Sequence, residues 1–143
     1  MAVPSIYFQF IAEVQARVTA LGGWGSGGVR RSHDFAVERQ QRPAARIGPG
    51  VVRYNYGANV CEWPQDFAVT ISITSNTDTE LDGYFVALCA ALEAPWTTPG
   101  VMRVRPVEVL FREATADATA YQLLITLAPQ SVPLKAYHVD QRK

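Results

Sequence analysis

"DFAVTISITS", residues 66–75, alternates without a break. Phe67, Val69, Ile71 and Ile73 fall on one side of an extended chain. Asp66, Ala68, Thr70, Ser72 and Thr74 fall on the other. This pattern predicts a strand of an antiparallel sheet, with one face on a core and the other toward water. "TDTE" (77–80) follows and has the form of a capping box, in which Thr77 caps a helix and Glu80 reaches back to it. Leu81, Phe85, Leu88 and Leu92 then recur at helical spacing as far as Pro95, which predicts a helix over about 78–93.

Further along, "VRPVEVLFRE" (104–113) and "YQLLITLAP" (121–129) flank the small-residue connection "ATADATA" and read as a hairpin. Val107, Val109 and Phe111 share one side, as do Tyr121, Leu123, Ile125 and Leu127. Pro106 marks a strand start or a sheet edge. The final stretch, 130–143, has no helical period and reads as an extended C-terminal arm or a terminal edge strand. At the other end, Pro4 and Ser5 open a helix predicted over about 4–21. Its stripe is Tyr7, Phe10, Ile11, Val14, Val18 and Leu21, with Glu13, Gln15 and Arg17 on other faces; Gly22 and Gly23 stop it.

Between the first helix and the strands lies "GGWGSGGVRRSHDFAVERQQRPAARIGPG" (22–50). It holds seven of the ten glycines and five of the eleven arginines. "DFAVERQ" alternates like a short strand, "RPAARIGPG" is turn chemistry, and "VVRYNY" (51–56) is rich in β-branched and aromatic residues. The segment reads as a long hairpin or loop excursion at 22–56, with an arm near 33–41, a tip at 42–50 and a return at 51–56. Its Gly/Arg-rich part, 22–50, is expected to be flexible. The whole is a single α+β domain, 1–143, with a mostly antiparallel sheet and two helices packed on one face.

Composition bounds the function. With 48% hydrophobic and 18% charged residues the chain is globular. The net charge is zero, but residues 22–50 carry +3 and the remainder −3. A basic limb on an acidic body suits like-with-like assembly, or docking on an acidic surface. A dedicated nucleic-acid binder is ordinarily basic overall. Cys61 and Cys89 allow one disulfide and show no metal-binding pattern; Cys89, within "YFVALCAAL", reads as a buried reduced thiol. The expectation is no secretory signal, no membrane span and synthesis in a reducing cytoplasm.

Catalytic chemistry is hard to place. "GGWGSGG" invites comparison with a phosphate loop, but a helix precedes it and no Lys-Ser/Thr follows; the alternative is a flexible hinge. His33, Asp34 and Glu38 do not share a strand face and have no second histidine nearby, so a metal site is not predicted. Asp78 and Glu80 are explained by a helix start. No cofactor is expected. The arginines say more, since a planar guanidinium pairs bidentately with carboxylates and is favoured at interfaces. One reading has Arg30, Arg31, Arg39, Arg42 and Arg46 meeting acidic residues of a neighbouring subunit such as Glu62, Asp66 or Glu108; the other is a solvated loop. Trp24, Trp63 and Trp96, each beside Gly or Pro, are either interface anchors or plugs at the ends of the fold.

In order and length the elements resemble the tail terminator (tail completion) proteins of long-tailed bacteriophages. The elements that carry this are the N-terminal helix, the long excursion, the strand "DFAVTISITS", the helix "TELDGYFVALCAALEA" and the closing hairpin "VEVLFRE…YQLLITLAP". The resemblance spans nearly the whole chain and rests on the order of elements, with no signature motif. It implies a non-enzymatic virion protein of the tail or neck. Such proteins form a homo-oligomeric ring, usually a hexamer, on the tail tube protein. The ring stops tube polymerisation, offers a surface to the head–tail connector and leaves its lumen open to the genome, without sequence-specific contact. Another head–tail connector or tube-like ring protein is the nearest alternative. A small enzyme or regulator holding a phosphorylated ligand on the Gly/Arg segment is the alternative of a different class.

Overall fold

The computed structural model describes residues 5–53, 66–113 and 120–131. In chain order the elements are α1 (Ile6–Ala20), β1 (Val29–Arg31), a 3-10 turn (Arg39–Gln41), β2 (Ala44–Arg53), β3 (Asp66–Ser75), α2 (Asp78–Ala91), β4 (Val101–Glu113) and β5 (Tyr121–Ser131). Among the described residues the five strands make one sheet in the order β1-β2-β3-β5-β4. Every neighbouring pair is antiparallel except β1–β2. The fold is the α+β class predicted, and the helices pack on one face. The predicted arm at 130–143 lies, beyond Ser131, outside the described residues.

The core forms where the apolar stripes meet. Ile71 and Ile73 of β3 and Leu123, Ile125 and Leu127 of β5 are fully buried, under Phe10, Val14 and Val18 of α1 and Leu81 and Leu88 of α2. Full burial of one such side chain contributes about 1.5–3 kcal/mol, so this layer holds the domain together. α1 lies over β1 and β2, and α2 over β3 and β5. Strand β4 reaches the core at Val101 and Val104, and from Arg105 to Glu113 its side chains are exposed apart from half-buried Pro106.

Both helix starts follow the sequence. Ser5 accepts from Phe8 N at 3.2 Å, and Thr77 accepts from Glu80 N at 3.2 Å. The capping box is otherwise rearranged. Glu80 accepts a short hydrogen bond from the Ser75 hydroxyl instead of returning to Thr77, and Thr77 N donates to Ser75 Oγ at 3.3 Å. Ser75 ends β3 fully buried, which gives the carboxylate a nearer and drier donor than the cap itself.

The excursion departs from the predicted hairpin. Residues 34–40 are not a strand: Asp34 N donates to Ser32 Oγ and Ala36 N to Asp34 Oδ1, each at 3.0 Å. These local side-chain bonds compete with a strand ladder. The predicted tip at 42–50 is instead most of β2, which pairs with β3 from Ala44↔Thr74 to Pro49↔Val69. Pro49 is tolerated for a geometric reason. Ala45 N and Ile47 O point toward β1, so position 49 does too, and β1 has already ended at Arg31. The missing N–H therefore removes no ladder bond. Of the predicted return, 51–53 belong to β2 and 54–56 lie outside the described residues.

β2 slips against β3 between Pro49 and Val52, and Tyr7 fills the irregularity. Its hydroxyl accepts from Gly50 N at 2.6 Å and lies 3.2 Å from Ala68 O and 3.3 Å from Gly50 O, to which its single proton can be given. Burial raises the phenol pKa, only partly opposed by the Gly50 bond, so the group stays a neutral donor. Tyr7→Phe leaves the Gly50 N–H and the Ala68 carbonyl without this partner. Equilibrium urea unfolding should show a loss of about 1–2 kcal/mol.

Candidate assembly interface

The predicted interface arginines divide into two groups. Arg46 sits opposite Ser72 on the sheet face away from the helices and is 6% exposed. It donates to Gly27 O at 3.1 Å and Ala45 O at 2.9 Å. Burial, and next the charge of Arg30, lower its pKa; Asp34 works against them. Arg42 donates to Asn76 Oδ1 at 3.1 Å and Val37 O at 3.2 Å. These two residues tie the excursion to the sheet from inside. Arg30, Arg31 and Arg39 are exposed, and Arg31 donates from Nε to Gln15 Oε1 of α1 at 2.9 Å.

The excursion thus forms a third layer over the β2 end of the far face. Phe35 lies against Gly48, where an added Cβ would come 2.8 Å from its ring. Val37 and Ala44 are buried outside the main core. Farther along the same face the polar groups bind one another: Arg112 Nε donates to Gln122 Oε1, and Gln122 Nε2 to Ser72 Oγ, both at 2.8 Å. The polar side of "DFAVTISITS" is therefore buried at Ser72 and Thr74 rather than wet. Composition alone hides this, because the cover comes from a segment that reads as loop.

The glycine run is also committed internally. Gly25 N donates to Pro43 O at 2.7 Å, Gly27 N to Gln41 O at 3.1 Å and Gly28 N to Gly25 O at 3.0 Å. A phosphate cradle needs backbone N–H groups converging on the anion, and these point elsewhere. Among the described residues no group of three or more His, Cys, Asp or Glu is placed to hold a metal ion. Burial, reinforced by Glu93, raises the Cys89 pKa, which keeps the half-buried thiol protonated and weakly nucleophilic.

Of the tryptophans, Trp24 stacks on Tyr84 at 4.2 Å and donates to Val18 O at 3.0 Å. Trp96 donates to Leu92 O at 3.1 Å and packs on Phe10. Both close ends of the helix layer. Trp63 and Glu62 lie outside the described residues. Asp66 opens β3 opposite Arg53 of the same chain, and Glu108 is exposed on β4.

A cluster built on Glu13 and Arg17, which lie off the apolar stripe of α1, joins the two helices. Glu13 accepts from Thr97 N and Thr98 N at 2.9 and 2.8 Å and from Thr98 Oγ1 at 2.6 Å. Arg17 donates to Glu13 at 3.1 Å and to Ala91 O and Ala94 O at 2.7 and 2.9 Å, with its guanidinium 3.8 Å from the Trp96 ring centre. The four-residue spacing of Glu13 and Arg17 was the available signal. It did not reveal that Arg17 also caps the C-terminal carbonyls of α2, where a cation is favourable.

What remains at the surface is apolar and charged at opposite ends of the sheet. Edge strand β4 exposes Met102, Val107, Leu110 and Phe111 at 67, 64, 43 and 48%. Val86 of α2 is 62% exposed and Phe8 of α1 55%. Among the described residues β4 has one open side; Pro106, two register shifts and its charged residues blunt strand pairing there, while the exposed apolar side chains still offer a contact surface. No Lys or Arg occurs between Arg53 and Arg103, a span that includes Asp78, Glu80, Asp82 and Glu93 on or beside α2. Among the described residues no helix is long and apolar enough to cross a membrane.

No protein-family model matches the chain, and no curated protein does. Among solved structures it is similar to a chain described as "Virion of native gene transfer agent (GTA) particle", with a TM-score of 0.54 and 15% identity over 89% of this chain and 91% of that one. At that identity the likeness is one of fold, and it runs the length of both chains.

Proposed function

We propose that the chain is a structural, non-enzymatic virion protein that assembles with copies of itself into a ring. The ring caps a tail tube and presents its other side to the head connector, the role of a tail terminator. The observation that carries this reading is the end-to-end fold similarity to a chain of a gene transfer agent virion. The outer edge of β4, which has no neighbouring strand among the described residues, supports it, because a ring of subunits gives each open edge a partner. So do the exposed arginines Arg30, Arg31 and Arg39 at the opposite edge.

Deleting the gene from the genome that encodes it tests the role. Electron microscopy should then show tubes of uncontrolled length and heads without tails, and complementation should restore joined particles. Normal particles in its absence would overturn the reading. Tails that stop at the proper length but never join heads would move the role to a connector.

A further inference from the structure

We infer that copies of this chain associate head to tail through their helix layers, with the Phe8–Arg31 side of one copy seated on the Val86–Asp82 side of the next. The inference rests on reading the chain as a self-assembling subunit.

The first surface lies on α2. Asp82, Val86 and Cys89 follow at spacings of four and three, so they share one side of the helix, and Glu93, in the turn just past its end, lies close enough to Cys89 to raise its pKa. Adjacent Phe85 meets Phe111 edge to face at 6.0 Å, which turns that side toward β4. The strand register sorts the charges there. Arg103, Arg105 and Arg112 lie opposite Gln130, Ala128 and Gln122, the parity that faces away from the helices. Val109, Phe111 and Glu113 lie opposite Ile125, Leu123 and Tyr121, on the helix side. Among the described residues, the helix-side surface is thus apolar at Val86 and Phe111 with the acids Asp82, Glu93 and Glu113 around it, and the nearby cation Arg17 is already held by Glu13 and the carbonyls that end α2.

The second surface lies at the other end of the sheet. Gln15 of α1 reaches Val29 O at 3.5 Å and accepts from Arg31, so its side of α1 faces β1. Phe8 stands two turns earlier on that side, 55% exposed. Arg31 lies opposite Ile47 and so is also on the helix side. At one end of the molecule an exposed aromatic and, two helical turns along the same side of α1, a cation face outward; at the other end an exposed valine stands one turn from a carboxylate. A two-fold contact would set acid on acid. A head-to-tail contact sets Arg31 against Asp82 and Glu93, and Phe8 against Val86, at every junction.

Light scattering after size exclusion, at low salt, tests this with two variants, Arg31→Glu and Asp82→Arg/Glu93→Arg. All three positions are exposed, and unchanged thermal unfolding checks that the fold survives. The wild type should be oligomeric, and each variant alone should associate about a hundredfold more weakly, because like charges meet at each junction. An equimolar mixture should regain wild-type mass, since alternating copies restore opposite charges at every contact. Variants that assemble like the wild type, a mixture that stays dissociated, or a wild type that is monomeric at all concentrations would each overturn the inference. None of these results bears on the deletion phenotype, which tests the virion role separately.

Discussion

Gly25→Ala should destabilise the folded chain by about 2–4 kcal/mol in urea unfolding, among the larger single-site effects available in this protein. A Cβ at Gly25 would come 2.5 Å from Arg42 O and 2.7 Å from both Arg42 C and Gln41 O. All of these are backbone atoms, so no side chain can rotate away. The glycine cannot retreat either, because its own N–H is held by Pro43 O at 2.7 Å. Gly83 in α2 provides the contrast. Nothing lies within 4 Å of its missing Cβ, so Gly83→Ala should stabilise by about 0.5–1 kcal/mol through helix propensity and a less disordered unfolded state. If Gly25→Ala were neutral, residues 22–28 would be the hinge their composition suggests, and the packing against 41–43 would have no energetic weight.

Glu13→Gln should cost about 2–3 kcal/mol near neutral pH. The carboxylate receives donors from Thr97, Thr98 and Arg17 on both oxygens, whereas an amide offers one oxygen and would turn its NH2 toward a donor. Burial alone would raise the Glu13 pKa; the Thr98 hydroxyl, the Thr97 and Thr98 N–H groups and Arg17 outweigh it, and the net direction is below the ordinary 4.5. A carboxyl depressed in the folded state stabilises it above the unfolded pKa and stops doing so as pH falls through the folded one. The difference between wild type and Glu13→Gln should therefore be full above about pH 5 and narrow on acidification. A gap that stayed constant down to pH 2 would mean that the residue acts through shape and not charge.

The parts of this fold that could be read from the sequence are those in which a single element satisfies itself. Alternation at 66–75 and the stripes of α1 and α2 declare their buried sides directly, and the capping serines and threonines mark the helix starts. The parts that misled are those in which a residue's partner lies far along the chain. Pro49 and Gly50 look like a turn and form a strand, because β1 ends before Pro49 and Tyr7 satisfies Gly50 from 43 residues away. Arg46 looks like a surface cation and is buried against the carbonyls of Gly27 and Ala45. The candidate interface was half legible. The exposed arginines stand out in the sequence, but the acidic, apolar side of α2 emerges only when the register separates the arginines of β4 from its hydrophobic residues.

The Tyr7 hydroxyl also bears on how the molecule is acquired and lost. It ties α1 to strand backbone 43 and 61 residues away, accepting from Gly50 N and offering its one proton to the Ala68 or the Gly50 carbonyl, so it closes some of the longer circuits in the chain. Circuits of that length are unfavourable to close before the intervening strands have paired, because the entropy of the open segment must first be overcome. The contact is therefore expected to form on the native side of the folding barrier, and Tyr7→Phe should speed unfolding in stopped-flow measurements while leaving the folding rate nearly unchanged. An interaction made only there leaves the rate of folding almost untouched and lengthens the lifetime of the folded state. For the assembly subunit proposed above, which would have to persist after synthesis has ended, one phenolic oxygen near the start of the chain would act as a latch.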